Sequence, residues 1–276
     1  MTNPASGSSN AAKCAAIEAV FAERGLSLGG RTEFPREDLP GVTALDRERI
    51  DTVVLFAGDG TINAALCALA DWPGDLLILP GGTMNLLAKA LHGSRDPAAI
   101  IHTVHEDTRR TALPFIEAGP HRAFVGLILG PAAHWARARE AARKRRWRGL
   151  VAAARNAWRR TFSRGIRLTG VARLDRRYQA VLVAPQDGRL GVAAIDARDW
   201  RSIGELGWDW LTGDWMRARA VTGESVDRLG VVGDRPVLAL FDGEPVLLEP
   251  HVRIVAGETA PRFLTSLSVA EAGSGS

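Results

Sequence analysis

The stretch 51–91 constrains the fold more than any other part of the chain, because it writes one supersecondary unit twice in succession. Val53, Val54, Leu55 and Phe56 form a short β-branched apolar run that breaks at Gly58, Asp59, Gly60 and Thr61 before an Ala/Leu-rich helical pattern. Leu76, Leu77, Ile78 and Leu79 repeat the run, Pro80, Gly81, Gly82 and Thr83 repeat the break, and a second helix is predicted to begin at Asn85. Two consecutive strand, glycine turn, helix units predict a parallel sheet flanked by helices, with both turns at the same end of the strands.

Each turn presents backbone N–H groups at a helix N-terminus, and glycine lets the backbone approach a ligand with no Cβ in the way. The positive end of the helix dipole favours an anion there. Gly58, Gly60, Thr61, Gly82, Thr83 and Asn85 are therefore the expected phosphate-binding positions. Asp59 is an exception, because a carboxylate repels a naked phosphate unless a Mg²⁺ or an arriving hydroxyl stands between them. Taken alone, Asp59-Gly60 reads better as a tight turn with Asp59 as a helix cap, and the second glycine turn is what tips the balance toward phosphate.

The net charge of +4 points toward anionic partners without choosing among nucleotide, phospholipid and nucleic acid. The two cysteines, Cys14 and Cys67, lack metal-ligand spacing, so a reducing cytoplasmic setting is expected. No signal-peptide pattern opens the sequence, and no apolar run approaches the length that spans a bilayer. At 276 residues the chain is comfortable for two domains.

Four short motifs together carry a resemblance. The pair GDGTIN and PGGTMNLLAKAL, Asn3-Pro4-Ala5-Ser6-Gly7 near the start and Asp242-Gly243-Glu244 near the end resemble, in order and approximate spacing, the diacylglycerol kinase catalytic domain shared by bacterial lipid kinases, ceramide kinases and sphingosine kinases. The resemblance implies an α/β fold: an N-terminal Rossmann-like parallel sheet domain, a C-terminal antiparallel β-sandwich domain and an active-site cleft between them. It implies ATP and Mg²⁺ as cofactors and a lipid hydroxyl as acceptor. It adds Asn3 and Thr32 to the nucleotide-contacting residues and makes Asp187, in the turn 185–190, a ligand of a structural Mg²⁺. That Asp187-Gly188 turn is also a strong hairpin signal in its own right. Glu244 becomes the expected proton acceptor, with Asp242 beside it at the metal or the hydroxyl and Asp59 at the phosphates.

Along the chain, helices are expected over 11–24, ended by Gly25, and over 97–106. Only Met1 and Thr2 precede Asn3, where the family has an apolar strand. Residues 1–106 are assigned to the nucleotide-binding domain, with the tail 260–276 as a segment able to return to it, and 107–259 to the β-rich lipid-binding domain. Within the latter, strands are expected over 109–118, 121–129, 178–184, 190–195 and 237–241. At about 134–163 a basic helix carries Trp147, Leu150, Trp158 and Phe162 on one face and a crowd of arginines on the rest. Such a helix suits an anionic membrane surface, and equally a core-packed helix with a solvated basic face. The cluster Trp200, Trp208, Trp210 and Trp215 reads first as a structural anchor.

The expected function is an ATP-dependent lipid kinase that transfers the γ-phosphoryl group to diacylglycerol or a related lipid. It would be cytoplasmic or peripheral at the inner membrane surface, free of nucleic acid, with a sheet edge available for a homodimer. Three departures from the family pattern weigh against turnover: Ala57 before Gly58, Ala64 where most members carry Glu, and Leu86 where many carry Asp. A catalytically silent nucleotide- or lipid-binding relative is thus the main alternative. An NAD kinase shares the Gly-Asp-Gly turn and ranks behind, because no asparagine in the chain is followed by glutamate.

Overall fold

A computed structural model describes residues 1–3, 11–130, 165–178, 180–186, 188–195 and 224–267. Asp187, the basic segment 134–163, the 200–215 tryptophan cluster and residues 4–7 of the opening motif lie outside the described residues. The chain forms two compact units: Met1–Leu113 joined by the return from Glu258, and Pro114–Gly257.

In the first unit, α1 (Ala11–Glu23) turns Ile17 and Phe21 into a core shared with Leu77, Leu79, Ile100, Ile101 and Val104. It ends as its glycine predicts: Gly25 has φ +70°, and the Leu26 N–H donates to the Phe21 carbonyl at 2.9 Å. A short α2 (Val42–Arg47) precedes β1 (Thr52–Ala57), α3 (Asp59–Ala68), β2 (Asp75–Pro80), α4 (Leu86–His92), α5 (Pro97–Glu106) and β3 (Arg109–Thr111). Asp96 caps α5 by accepting from the Ala99 N–H at 3.0 Å, with Pro97 in the first turn where its missing donor costs nothing. Strands β1 and β2 pair in parallel from Thr52↔Asp75 to Ala57↔Pro80. Leu76, Ile78 and Leu79 are fully buried, as expected of a parallel strand covered on both faces.

The first three residues complete the other edge. Thr2 bridges Phe56 and Glu33 in parallel, the Phe56 N–H donates to the Met1 carbonyl at 3.0 Å, and the Thr2 N–H donates to the Thr32 carbonyl at 2.9 Å. Met1–Thr2 thus runs where the family's first strand was expected.

The second unit is antiparallel. Its strands are β4 (Pro114–Ala118), β5 (His121–Ala123), β6 (Leu127–Leu129), β7 (Arg167–Thr169), β8 (Ala180–Gln186), β9 (Arg189–Ile195), β10 (Glu224–Val226), β11 (Arg228–Val232), β12 (Val237–Phe241), β13 (Glu244–Leu248) and β14 (Arg253–Glu258). They form a six-stranded sheet in the order β10-β9-β8-β6-β12-β13 and a five-stranded sheet in the order β5-β4-β14-β11-β7. Inward residues of both sheets share one core: Leu127, Val181, Val183, Val192, Ala239 and Phe241 from the first, Ile116, Leu168, Leu229 and Ile254 from the second.

The last strand, β15 (Arg262–Thr265), pairs in parallel with β2 and antiparallel with β3, which gives the first unit a mixed four-stranded sheet, β1-β2-β15-β3. This pairing moves the division between units from 106/107 to Leu113/Pro114, because β3 is held by the returning strand. The expected strand 109–118 is therefore two strands in different units. The expected strand 121–129 is likewise two, β5 and β6, in different sheets. No helix among the described residues is long and apolar enough to cross a membrane.

Candidate functional site

Because β1 and β2 pair with Ala57 opposite Pro80, their two turns leave the same end of the sheet side by side. They also touch. A Cβ added to Gly81 would lie 2.6 Å from the Ala57 nitrogen, and one added to Gly82 would lie 2.7 Å from the Gly58 Cα. Both distances are shorter than any side-chain contact tolerates, so the Gly-Gly pair is required by backbone packed on backbone. The same contact accounts for a small buried residue, Ala57, before Gly58.

Two side chains lock the turns together. Asp59 opens α3, yet its carboxylate reaches across and accepts the N–H groups of Asn85 at 3.0 Å and Leu86 at 2.7 Å. It therefore caps α4, whose own N-cap residue, Asn85, makes no side-chain capping bond. Burial pushes the Asp59 carboxyl above its ordinary pKa, and the Leu86 and Asn85 amides oppose that shift. Asn85 itself adopts the left-handed conformation (φ 52°, ψ 45°) and staples the second turn: its Oδ1 accepts the Gly82 N–H at 2.6 Å and its Nδ2 donates to the Gly82 carbonyl at 3.0 Å. Asparagine tolerates this backbone region better than other side chains do.

Asn3 joins the cluster by donating from Nδ2 to the Thr61 hydroxyl at 2.8 Å. Asn3, Gly58, Asp59, Thr61, Gly82 and Asn85 are thus brought together, with Gly60 in the first turn of α3 and Thr83 exposed at the tip of the second loop. The Thr32 carbonyl accepts the N–H of Thr2, the residue before Asn3, at 2.9 Å. Thr32 lies beside Met1 and lines a cavity of about 750 Å³ with Met1, Thr52 and Val54, and neither Gly58 nor Gly82 lines that cavity. Gly81 was missed as a site residue, although its place beside Gly82 after an apolar strand was the signal for it.

The late motif is a two-residue hairpin joining β12 to β13, with Phe241 paired to Glu244. Asp242 (φ 48°) and Gly243 (φ 91°) both occupy the positive-φ region that such a turn demands. The Asp242 carboxylate accepts three backbone N–H groups, from Phe124, Val125 and Gly126, each at 2.9 Å. Those three residues are the break between β5 and β6. Asp242 therefore anchors the hairpin to that break, while Glu244 begins β13 as an exposed carboxylate.

The loops suit a phosphate through the N-terminus of α3, which begins at Asp59 directly after Gly58. Among the described residues no three His, Cys, Asp or Glu side chains cluster as a metal site. Ala64 is exposed, Leu86 is buried and Asp59 is engaged with amides, so the loops supply no second carboxylate.

Comparison with known proteins agrees with this geometry. Residues 1–114 match the family model described as the diacylglycerol kinase catalytic domain. A protein of Streptococcus pneumoniae serotype 4 named "Putative lipid kinase" is 44% identical over 52 residues, a match spanning 18% of this chain and 18% of that relative. In fold, the chain is similar to a diacylglycerol kinase structure from Bacillus anthracis, with a TM-score of 0.66, 12% identity, and 98% of this chain and 96% of that one covered. It is also similar to an NAD kinase from Archaeoglobus fulgidus solved in complex with ATP, with a TM-score of 0.53, 12% identity, and coverage of 99% and 94%.

Proposed function

We propose that this chain is an ATP-dependent lipid kinase that transfers the γ-phosphoryl group to the hydroxyl of diacylglycerol or a related lipid. The observation that carries the reading is the pair of interlocked glycine turns, held by Asp59 and Asn85, in a segment that matches the diacylglycerol kinase catalytic domain. In this reading the backbone amides at the start of α3 bind the phosphates beside the Gly82 loop, and Asn3 and Thr61 hold the rim. Asp59 keeps the two turns in register so that their donors converge, which is the positioning that phosphoryl transfer depends on. Bound Mg²⁺ would neutralise phosphate charge, with Asp187 assigned to a structural Mg²⁺ in the turn that carries it. Glu244 accepts the proton of the lipid hydroxyl as the new O–P bond forms and the bond from the γ-phosphorus to its bridging oxygen breaks, releasing ADP. Asp242 keeps the Glu244 hairpin in place. Work at a cytoplasmic membrane face, where the lipid acceptor resides, is part of the same reading.

A second reading, a silent relative that binds nucleotide without transfer, is favoured by one observation: Asp59 spends its carboxylate on Asn85 and Leu86, with no acid at position 64 or 86. Incubation with radiolabelled ATP, Mg²⁺ and total membrane lipid separates the two. Label in a lipid, lost in Glu244→Gln, supports the kinase; nucleotide binding with no labelled lipid supports the silent relative.

A further inference from the structure

We propose that the outer face of the five-stranded sheet holds a binding site for a phosphate monoester, built around Arg228 and Arg253. The pleat decides which side chains face outward. Leu168, Leu229 and Ile254 turn into the core, so Arg167, Thr169, Arg228, Gly230, Val232 and Arg253 stand on the opposite face. Register sets their arrangement. Gly230 pairs with Arg253 on one side and Thr169 on the other, and Arg228 lies two residues further along β11. Arg228 and Arg253 are thus diagonal neighbours, about 7–8 Å apart at the backbone.

Gly230 has no side chain, the Thr169 hydroxyl stands 2.9 Å from where its Cβ would lie, and a cavity of about 480 Å³ opens on this face. It is lined by the two arginines, Thr169 and His251, over the backbone of Gly230 and Gly233, and no carboxylate lines it. Among the described residues neither Arg228 nor Arg253 makes an ion pair. The neighbouring Asp227 is taken by Arg189 at 3.4 Å. Two guanidinium groups on diagonal positions lining one cavity suit a dianion, which can meet each fork with paired hydrogen bonds. The Thr169 hydroxyl adds a donor at the wall. The site lies wholly in the second unit and does not depend on the glycine turns.

The phosphate can belong to a soluble ester or to a lipid headgroup, and two arms tell them apart. In the first, inorganic phosphate is titrated into ¹⁵N-labelled protein and the Gly230 and Gly233 amide shifts are followed, which reads this groove separately from the turns at Gly58 and Gly82. In the second, the protein is sedimented with phosphatidylcholine vesicles containing phosphatidic acid. Both arms compare the wild type with R228A/R253A, with Val232→Glu, which sets a carboxylate on the exposed face, and with R36A/R47A, which removes equal charge elsewhere. The expected result is saturable binding in at least one arm, weakened tenfold or more by both groove variants and less than twofold by R36A/R47A. Shifts by free phosphate without arginine-dependent sedimentation identify a soluble ester; arginine-dependent sedimentation identifies a headgroup. Binding in neither arm, or equal weakening by R36A/R47A, overturns the proposal.

Discussion

At the scale of single residues, Asp59 and Asn85 matter more for holding the turns than for charge. Asp59→Asn leaves one oxygen to serve two amides, so one buried N–H loses its partner. The expected cost is about 1–3 kcal/mol, read as a lower melting temperature in urea or heat. Gly82→Ala pushes a methyl against the Gly58 backbone; it should destabilise by about 1–3 kcal/mol and weaken nucleotide binding, whereas an exposed change such as Ala64→Ser should do neither. His92 is a residue whose role no sequence pattern announced. It is fully buried at the end of α4, its Nδ1 accepts the Ser266 N–H at 3.2 Å, and among the described residues its Nε2 makes no regular hydrogen bond. Burial, helped by Arg95, lowers its pKa to about 4. The unfolded chain therefore binds a proton here that the folded chain refuses. This contribution is intact above pH 6.5 and falls away between pH 6.5 and 4, by roughly 3 kcal/mol in all. Asp59 acts with the opposite sign, since burial raises its folded pKa and so favours the fold as pH falls toward the ordinary carboxylate value. Melting temperature against pH for wild type and His92→Leu checks this: the wild type should lose stability on acidification more steeply than the variant.

At the scale of elements, the sequence was most legible where burial is complete. The apolar runs of β1 and β2 and the amphipathic pattern of α5 correspond to the observed elements within a residue or so, because elements buried on these terms carry clear apolar signals. What was illegible has its cause far along the chain. In 121–129 only Gly126 hints at a break, and nothing local names its partner: Phe124, Val125 and Gly126 offer three amides to Asp242. Likewise β3 is separated from β4 by β15, which returns from the end of the chain. The site follows the same rule: its glycines were readable from the turns, but the partners of the Asp59 carboxylate, in the next loop, were not. Asp242→Ala should accordingly cost about 2–3 kcal/mol by orphaning buried amides, and loosen the hairpin that carries Glu244. If hydrogen exchange at Phe124, Val125 and Gly126 is unchanged in that variant, the anchoring role is wrong.

At the scale of the whole molecule, the two units divide the chemistry. The first carries a mixed sheet whose interlocked turns meet beside the N-terminus of α3; the second carries the exposed Glu244 and a basic sheet face. The central claim is that the turns at Gly58 and Gly82 form one phosphate cradle. The most direct test is a crystal structure with Mg²⁺ and a non-hydrolysable ATP analogue. The account predicts the phosphates seated against the backbone amides that follow Gly58 and those of the Gly82 loop, with Asp59 still bound to Asn85 and Leu86. A nucleotide bound elsewhere, or turns that must separate before any phosphate can enter, would contradict it.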